Sequence, residues 1–372
     1  MKILITSINY PGKIGVSTYI EQLIQGLKSQ GHLVDVFSHN PFIKNAKKNM
    51  TTQAQVAVYR TAAAHLSLEK YDIIHSQGII PTVAISQIRP KKVPLISSLH
   101  GALAFNMLIN GALKKNTPAW QEMMNLESRA ITSSDICIVA SHWLKNIFLT
   151  QYKIQQNQLF NIVPYGIDSK EFFRKMEIHT PIAKPNDKFI LVCTARLIPL
   201  KGHLFLLDAL SKLKQQRQDW VCWIIGDGPL RLQLRQKVNR LGLGGYVQFL
   251  GNQENVPALL KKADLFVFPS LQDNMPYAVM EAQLAGIPVA VSDAGGIPEM
   301  VKNGDTGLVN PRRDGHSLYL NIKNLIENKP LRDSMSKNGR TWAIENWSIE
   351  KMIQNTIAVY HQALLKGGNK RV

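Results

Sequence analysis

Two carboxylates beside the start of a predicted helix are the residues in this chain best suited to bind a polar ligand. An apolar strand ends at Phe268, and the sequence after it predicts a helix that begins near Met275. The free backbone N–H groups and the positive dipole end of such a helix suit a diphosphate. Asp273 lies just before this helix, and Glu281 lies eight positions later on the same helical face. Together they could hydrogen-bond hydroxylated rings on either side of a diphosphate.

Each carboxylate also has a purely structural interpretation. The Asp273 side chain could cap the helix N-terminus, and Glu281 could pair with a cation on the protein surface. Neither residue decides between these roles by itself, so the rest of the chain has to be considered.

These residues lie within two successive series of strands and helices. Apolar, β-rich runs alternate with amphipathic segments, and this alternation predicts α/β domains with mostly parallel sheets covered by helices on both faces. The clearest amphipathic segment places Ile20, Leu23, Ile24 and Leu27 at helical spacing before Gly31. The predicted strands are Ile3–Ile8, Leu33–Ser38, Ile73–His75, Pro94–Ser98, Ile136–Ala140 and Phe160–Val163 in the first series, and Phe189–Thr194, Val221–Ile225, Val247–Leu250, Leu265–Phe268 and Pro288–Val291 in the second.

The pattern is interrupted over residues 174–188, which hold prolines, many charges and little periodicity and therefore predict an interdomain connection. We expect two doubly wound α/β domains, residues 1–168 and 169–348. A final helix over residues 349–366 could belong to either domain, and its length would let it cross back to the first.

The composition is that of a globular protein. Apolar residues make up 45% and charged residues 19% of the 372 residues, and no apolar run is long enough to span a membrane. The apolar run at the N-terminus is too short for a signal peptide, so we expect a cytoplasmic protein. The three cysteines lie in apolar runs without paired spacing, which argues against a disulfide framework and a zinc site.

The net charge of +18 is spread over both halves of the chain and does not form a basic tail. Phosphorylated substrates, an anionic membrane and nucleic acid would all be attracted by such a charge. The sequence has no zinc-finger spacing, RNA-binding signature or base-reading helix, so we expect no nucleic-acid partner.

The segment around the two carboxylates, residues 268–299, resembles the signature of the retaining family 4 glycosyltransferases. That family carries a Glu-x7-Glu pattern, which here is Asp273-x7-Glu281 with a first carboxylate that is one methylene shorter. We interpret this departure as altered reach and not as lost activity. The resemblance implies the GT-B fold, two Rossmann-like domains facing a central cleft. It also implies that Glu281 holds the ribose, while Asp273, Asn274 and Met275 contact the transferred sugar and its phosphate.

The same resemblance gives roles to residues of the other strands in the second half. Arg196 and Lys201 match the family's Arg-x4-Lys-Gly element at the carboxyl end of a strand, where these cations would stabilise the departing diphosphate. Gly226 and Gly228 form a Gly-Asp-Gly turn that would let the backbone approach the nucleotide. Val256 ends the segment that would line the base.

In the first half the match is looser, although the resemblance covers residues 2–365 in all. Gly15 stands in the family's glycine-rich turn, where the chain has Ile14 in place of an adjacent glycine, and would allow the backbone to approach phosphate or sugar closely. His100 ends the fourth strand and matches a position where a histidine faces the donor sugar. A structural histidine with satisfied nitrogens is the alternative.

The expected reaction uses no metal and no cofactor. The chain lacks an Asp-x-Asp motif and any cluster with metal-ligand spacing, so the cations would replace a metal as stabilisers of the leaving group. The resemblance implies retention of configuration, with a nucleotide sugar, UDP-linked by preference, as donor and a glycan or a lipid-linked molecule of the cell envelope as acceptor. A non-catalytic scaffold and a sugar-nucleotide epimerase are the alternative functions.

An apolar stretch over residues 102–109 precedes Lys114 and Lys115. It could dock the protein peripherally on an anionic membrane, on the inner face of the bilayer. Alternatively, it forms a helix that faces the core and ends in solvated lysines.

Overall fold

The computed structural model describes residues 1–8, 10–12, 15–39, 50–155 and 158–368. The chain divides into two compact units, of which the first comprises residues 1–108, 112–166 and 349–372 and the second residues 109–111 and 167–348. The described residues of each unit form one six-stranded sheet. Every strand pair in both sheets is parallel. The α/β fold class expected from the alternating pattern is confirmed.

The first unit has strand order β2-β1-β3-β4-β5-β6. Its strands are β1 (Lys2–Ser7), β2 (Leu33–Ser38), β3 (Ile73–Gln77), β4 (Leu95–Leu99), β5 (Ile136–Val139) and β6 (Phe160–Ile162). Its helices up to residue 166 are α1 (Gly15–Ser29), α2 (Thr52–Ala63), α3 (Ile79–Ser86), α4 (Leu103–Ile109), α5 (Pro118–Thr132) and α6 (His142–Gln151). Every residue of the central strands β3 and β4 is buried, as expected for parallel strands that are covered on both faces, although β3 ends in His, Ser and Gln and β4 contains two serines.

The second unit has strand order β12-β11-β10-β7-β8-β9. Its strands are β7 (Phe189–Thr194), β8 (Trp220–Ile225), β9 (Val247–Gly251), β10 (Leu265–Phe268), β11 (Val289–Ser292) and β12 (Leu308–Asn310). Its helices are α7 (Ser169–Met176), α8 (His203–Gln216), α9 (Arg231–Arg240), α10 (Val256–Leu260), α11 (Tyr277–Leu284), α12 (Gly315–Glu327) and α13 (Lys329–Asn346). The core lies between this sheet and α8, α9 and α12.

The last helix, α14 (Ile349–Gly368), belongs to the first unit. It buries Met352, Ile353 and Ala363. Its Tyr360 hydroxyl lies 2.7 Å from His75 Nδ1, inside the unit and at the middle of β3. A buried hydrogen bond therefore ties the end of the chain to the first sheet.

All the predicted strands are present, each within two residues of its predicted bounds. Three details differ. The short strand β12 is not predicted, because three residues give no usable periodicity. The helix predicted near Met275 begins at Tyr277. Residues 174–188 are not where the units divide, since this stretch lies inside the second unit and Lys262 Nζ donates to the Ile182 carbonyl at 2.6 Å.

Candidate active site

In the second unit, the predicted donor-binding residues follow two strands at the point where the strand order reverses. The chain runs from β7 through β8 to β9 at one edge and then returns to β10 on the other side of β7. The loops after β7 and β10 meet at the carboxyl edge of the sheet, where the Leu271 N–H donates to the Leu200 carbonyl at 2.8 Å. Ligands bind at this edge of the sheet in such folds. Arg196 and Lys201 follow β7, and Asp273 and Asn274 follow β10.

Lys201 and Asp273 form an ion pair between these two segments. The Lys201 ammonium donates to Asp273 Oδ2 and also lies 5.4 Å from the centre of the Phe268 ring. Only 17% of the lysine side chain and 19% of the aspartate side chain are exposed. Solvent therefore screens this pair less than it screens a surface pair. The sequence predicts both residues for the site, and the structure brings them together.

Asp273 is not the cap of the following helix. The cap residue of α11 is Pro276, whose side chain makes no capping hydrogen bond. Asp273 Oδ1 instead accepts a hydrogen bond from the Asn274 N–H at 3.1 Å. The capping interpretation is therefore wrong. Both carboxylate oxygens of Asp273 are engaged, one by Asn274 and the other by Lys201.

A third loop fixes the backbone of Asp273. The Gly296 N–H donates to the Asp273 carbonyl oxygen at 2.9 Å. Gly295 has a φ of +67°, and a Cβ at this position would lie 1.8 Å from the same oxygen. A side chain is excluded by the left-handed backbone and by the close approach together. Because Gly295 and Gly296 follow β11, the strand beside β10, neighbouring loops determine where Asp273 lies.

Arg196 is exposed at the same edge of the sheet. Its guanidinium group has no hydrogen-bond or ion-pair partner in the described ranges of the chain. The backbone beside it is fixed, because the Leu197 N–H donates to the Asp227 carbonyl at 3.0 Å. Arg196 therefore offers all five of its N–H donors to a ligand.

Gly226 and Gly228 have a packing role that the sequence does not predict. A Cβ at Gly226 would lie 2.2 Å from the Ala195 carbonyl oxygen, and one at Gly228 would lie 2.6 Å from the Leu197 carbonyl oxygen. These glycines let the loops after β7 and β8 pack against each other. Val256, the first residue of α10, is half-buried after the edge strand β9.

Glu281 lies on α11, and Met275 lies just before this helix. Glu281 is partly buried and Met275 is buried. Burial raises the pKa of the Glu281 carboxyl group to about 7, and the charge of Lys175 opposes this shift. The Nζ atom of Lys175 itself lies 3.5 Å from Glu171 Oε1. Glu281 has no ion pair among the described residues. For that part of the chain, the hypothesis that Glu281 pairs with a surface cation therefore does not hold.

In the first unit, His100 is held at both ring nitrogens. Nδ1 lies 2.8 Å from Tyr165 Oη, and Nε2 lies 3.1 Å from Gln77 Oε1. Burial lowers the pKa of His100 to about 4, so the ring is neutral at physiological pH. The Gln77 amide nitrogen is buried and has no hydrogen-bond partner in the described part of the chain. These contacts agree with the structural alternative for His100, and its role at the donor sugar stays a prediction.

Gly15 is the first residue of α1, after the strand β1. Lys13 and Ile14, two of the residues in the glycine-rich turn expected over 11–16, lie outside the described residues. The role of Gly15 therefore stays a prediction.

The sequence does not predict three neighbours of the site residues, namely Gln77, Tyr165 and Gly295. Tyr165 and Gly295 lie in segments that match the family pattern, but the pattern assigns them no contact. Gln77 is the last of three successive polar residues that end β3, and polar residues at the end of a strand are a usable signal for the carboxyl edge of a sheet.

The apolar stretch after β4 packs inside the first unit. Ala104 of α4 joins Trp120 and Met123 of α5 in a small buried cluster, and Phe105 packs edge-on against Trp120 with ring centres 5.1 Å apart. Leu103, at 39% exposure, is the most exposed large apolar residue of this helix. The structure therefore supports the core-facing interpretation of this stretch.

Within the described ranges, no helix combines the length and the apolar character that crossing a membrane requires. The same residues contain no group of three or more His, Cys, Asp or Glu side chains that could hold a metal ion. The three cysteines are buried and free.

Comparison with solved structures defines the class of fold. Each unit is a Rossmann-like domain, and the chain has the GT-B architecture of known glycosyltransferase structures. One of these is the crystal structure of Anabaena HepE in complex with UDP-glucose, which superposes with a TM-score of 0.74 at 21% identity over 97% of this chain and 100% of that chain.

Comparison with sequence families is more specific. The model "Glycosyl transferases group 1" matches residues 174–342, and the model "Glycosyltransferase Family 4" matches residues 14–171. This chain belongs to the group 1, family 4 glycosyltransferases. It is 24% identical to N-acetyl-alpha-D-glucosaminyl L-malate synthase of Bacillus anthracis over 100% of both chains. It is 27% identical to UDP-Gal:alpha-D-GlcNAc-diphosphoundecaprenol alpha-1,3-galactosyltransferase of Escherichia coli over 79% of this chain and 76% of that protein.

Proposed function

We propose that this glycosyltransferase moves a sugar from a UDP-linked donor to a glycan or to a lipid-linked acceptor of the cell envelope. The observation that carries the proposal is the Lys201–Asp273 pair at the switch point of the second sheet, with the unpaired Arg196 beside it. The names of two similar proteins support the choice of substrates. One is a UDP-galactose transferase acting on a diphosphoundecaprenol-linked sugar, and the other is bound to UDP-glucose.

In this proposal Arg196 and Lys201 bind the diphosphate. Negative charge grows on the diphosphate as its bond to the sugar breaks, and fixed cations in a partly buried site stabilise that charge. The Lys201 ammonium has three donors, so it can bind phosphate oxygens while it still donates to Asp273. Because two cations supply the stabilisation, we assign no metal to the reaction.

We propose retention of configuration without a covalent sugar intermediate. Asp273 is poorly suited to be a nucleophile, because its two oxygens already accept from Lys201 and from the Asn274 N–H. The bond between the anomeric carbon and the phosphate oxygen breaks first. The acceptor oxygen then forms its bond on the same face, and its proton passes to the departing phosphate.

Glu281 binds the ribose hydroxyls in this scheme. A carboxylate accepts hydrogen bonds from two adjacent hydroxyl groups, and Glu281 is partly buried without an ion-pair partner in the described residues. Gly226, Gly228 and Val256 lie at the carboxyl ends of β8 and β9, where the nucleoside would extend.

The first unit contributes His100 to the proposal. Its neutral ring and the unmatched Gln77 amide nitrogen beside it suit hydroxyl groups of a sugar. Attachment to an anionic membrane also belongs to the proposal. It rests on the basic net charge and on the exposed Lys114 and Lys115, since the apolar stretch before them is packed.

The proposal is tested with a panel of nucleotides in a thermal-shift assay, followed by turnover assays. We expect UDP to raise the melting temperature more than UMP, because a ligand that binds only the folded state stabilises it. The best-binding nucleotide sugars are then incubated with the protein, and free nucleotide and sugar products are measured. Asp273→Asn should retain UDP binding and lose turnover by on the order of 100-fold.

Each alternative function has its own outcome. A protein that binds no nucleoside diphosphate and turns over no donor is a scaffold, and the proposed function is then wrong. Isomerisation of the sugar while it stays attached to the nucleotide identifies an epimerase. Stronger binding of GDP than of UDP would keep the reaction and correct the donor.

A further inference from the structure

Glu127 is a carboxylate buried in the first unit. It lies on α5 and is 0% exposed, on the same helical face as the buried Leu126, Ala130 and Ile131. No cation pairs with Glu127 in the described residues. Burying an ionisable group without a counter-charge is costly, so a buried carboxylate needs a specific set of donors.

Three donors meet this carboxylate. The Leu103 N–H donates to Oε1 at 2.6 Å, and the Ala104 N–H donates to Oε2 at 2.9 Å. The Tyr152 hydroxyl, just after α6, also donates to Oε2 at 2.6 Å. The two backbone groups are the first two of α4, which have no partner within their own helix.

These contacts lie directly after His100. The chain passes from His100 through Gly101 and the fully buried Ala102 to the two N–H groups that Glu127 accepts. Glu127 therefore fixes the backbone three and four residues beyond the histidine. On the other side, Tyr165 and Gln77 hold the ring itself.

We infer that Glu127 is a positioning residue for the transfer reaction: it fixes the turn between β4 and α4 and thereby the place of His100 at the carboxyl edge of the first sheet. This inference rests on the proposed function, since it gives His100 a part in sugar transfer. Glu127 acts through the turn and touches neither His100 nor a substrate.

The test compares Glu127→Gln, Glu127→Leu and Tyr152→Phe with the control Glu122→Gln. Glu122 lies on the same helix and is partly buried, but among the described residues its side chain accepts from Thr52 Oγ1, at 3.3 Å, and not from α4. Three quantities are measured on the full chain: hydrogen exchange of peptides spanning residues 101–112, steady-state turnover of UDP-glucose or of the best donor found, and the thermal shift caused by UDP.

For Glu127→Leu we expect exchange in residues 101–112 to be faster by on the order of tenfold or more, because the two N–H groups lose their acceptor. The turnover number of this variant should fall, while its KM for the donor and its UDP-induced thermal shift stay close to those of the wild-type protein. The exchange rate and turnover number of Glu127→Gln should lie between those of the wild-type protein and of Glu127→Leu, since the amide oxygen still accepts from the backbone. Glu122→Gln should match the wild-type protein in all three measurements.

The inference is overturned if exchange in residues 101–112 does not change in Glu127→Gln and Glu127→Leu. It is equally overturned if exchange rises uniformly over the first unit, which would indicate a general loss of stability, or if the turn is released while the turnover number is unchanged. Should Glu127→Leu fail to fold, Glu127→Gln and Tyr152→Phe still decide. A wild-type protein that neither binds UDP nor turns over any donor would refute the proposed function, a result distinct from active variants with a released turn.

Discussion

Lys201 and Asp273 are 72 positions apart in the chain, yet the lysine ammonium donates a hydrogen bond to the aspartate carboxylate. They meet because β7 and β10 are neighbours in the second sheet although two strands separate them in sequence. The pair holds a cation at the carboxyl edge of the second sheet. In the proposed function, a diphosphate would meet a positive charge whose position is already fixed.

Replacing Lys201 by alanine should weaken UDP binding by about 1.5 to 3 kcal/mol, the contribution of a hydrogen bond that involves a charged group. Calorimetric titration with UDP measures this difference. The control is Lys323→Ala, which removes an exposed lysine that pairs with Glu327 on α12. Equal UDP affinity in the two variants would exclude Lys201 from the diphosphate site.

Replacing Gly295 by alanine should lower both stability and turnover, because the new Cβ would collide with the Asp273 carbonyl oxygen. The matched control is Gly304→Ala. Gly304 also has a positive φ, +85°, but a Cβ there would have no atom within 4 Å. The control should show only the cost of the left-handed backbone, about 1 to 2 kcal/mol. Thermal unfolding midpoints and turnover numbers of both variants measure the difference.

If the two glycine variants unfold at the same temperature and turn over donor at the same rate, the close approach of Gly295 to Asp273 has no consequence. If Gly295→Ala is less stable but equally active, the loop stabilises the fold and does not position Asp273.

Glu281 should make nucleotide binding depend on pH. Because burial raises its pKa to about 7, the ionised fraction of Glu281 increases as the pH rises through that value. The preference for UDP over 2′-deoxy-UDP should therefore increase between pH 6 and 8, by up to about tenfold. Comparing the two ligands cancels the titration of the phosphate.

In Glu281→Gln that preference should no longer change with pH. A preference that rises equally in the variant and in the wild-type protein would show that another group causes the dependence.

His203 should destabilise the protein in acid. It is the first residue of α8, it is buried, and neither ring nitrogen has a hydrogen-bond partner among the described residues. Burial lowers its pKa to about 4, and the charge of Lys201 adds to the shift. As the pH falls below 6.5, the unfolded chain binds the proton first, so stability is lost between pH 6.5 and about 4.

His203→Leu removes this loss and also removes a buried polar group without a partner, which should stabilise the protein by about 1 to 3 kcal/mol at neutral pH. Melting temperatures of both proteins from pH 4 to 8 give the comparison. The difference in melting temperature, in favour of the variant, should grow as the pH falls. An advantage that is constant over this range would contradict the assigned titration.

Much of the fold follows from the sequence, because buried parallel strands are short apolar runs and the helices between them have apolar faces at regular spacing. The α1 segment with Ile20, Leu23 and Leu27 is one example, since all three are buried. The strand β12 does not follow, because its three residues carry too little pattern. The role of the polar stretch 174–188 does not follow either, since the units divide between residues 166 and 167 and this stretch packs within the second unit.

The sequence by itself determined which side chains could do chemistry: Arg196, Lys201, Asp273 and Glu281 are recognisable because they match motifs of the family that the sequence resembles, and a motif at the end of a strand is local in the chain. Only the tertiary structure decided their partners. The order of strands in the sheet decided whether Asp273 caps a helix or pairs with Lys201. It also explains why Gly295 has to be a glycine. The hydrogen bonds of the buried Glu127 also depend on the tertiary structure, since their donors come from two other segments of the chain. Contacts between loops far apart in the chain arise from that order, which no local pattern contains.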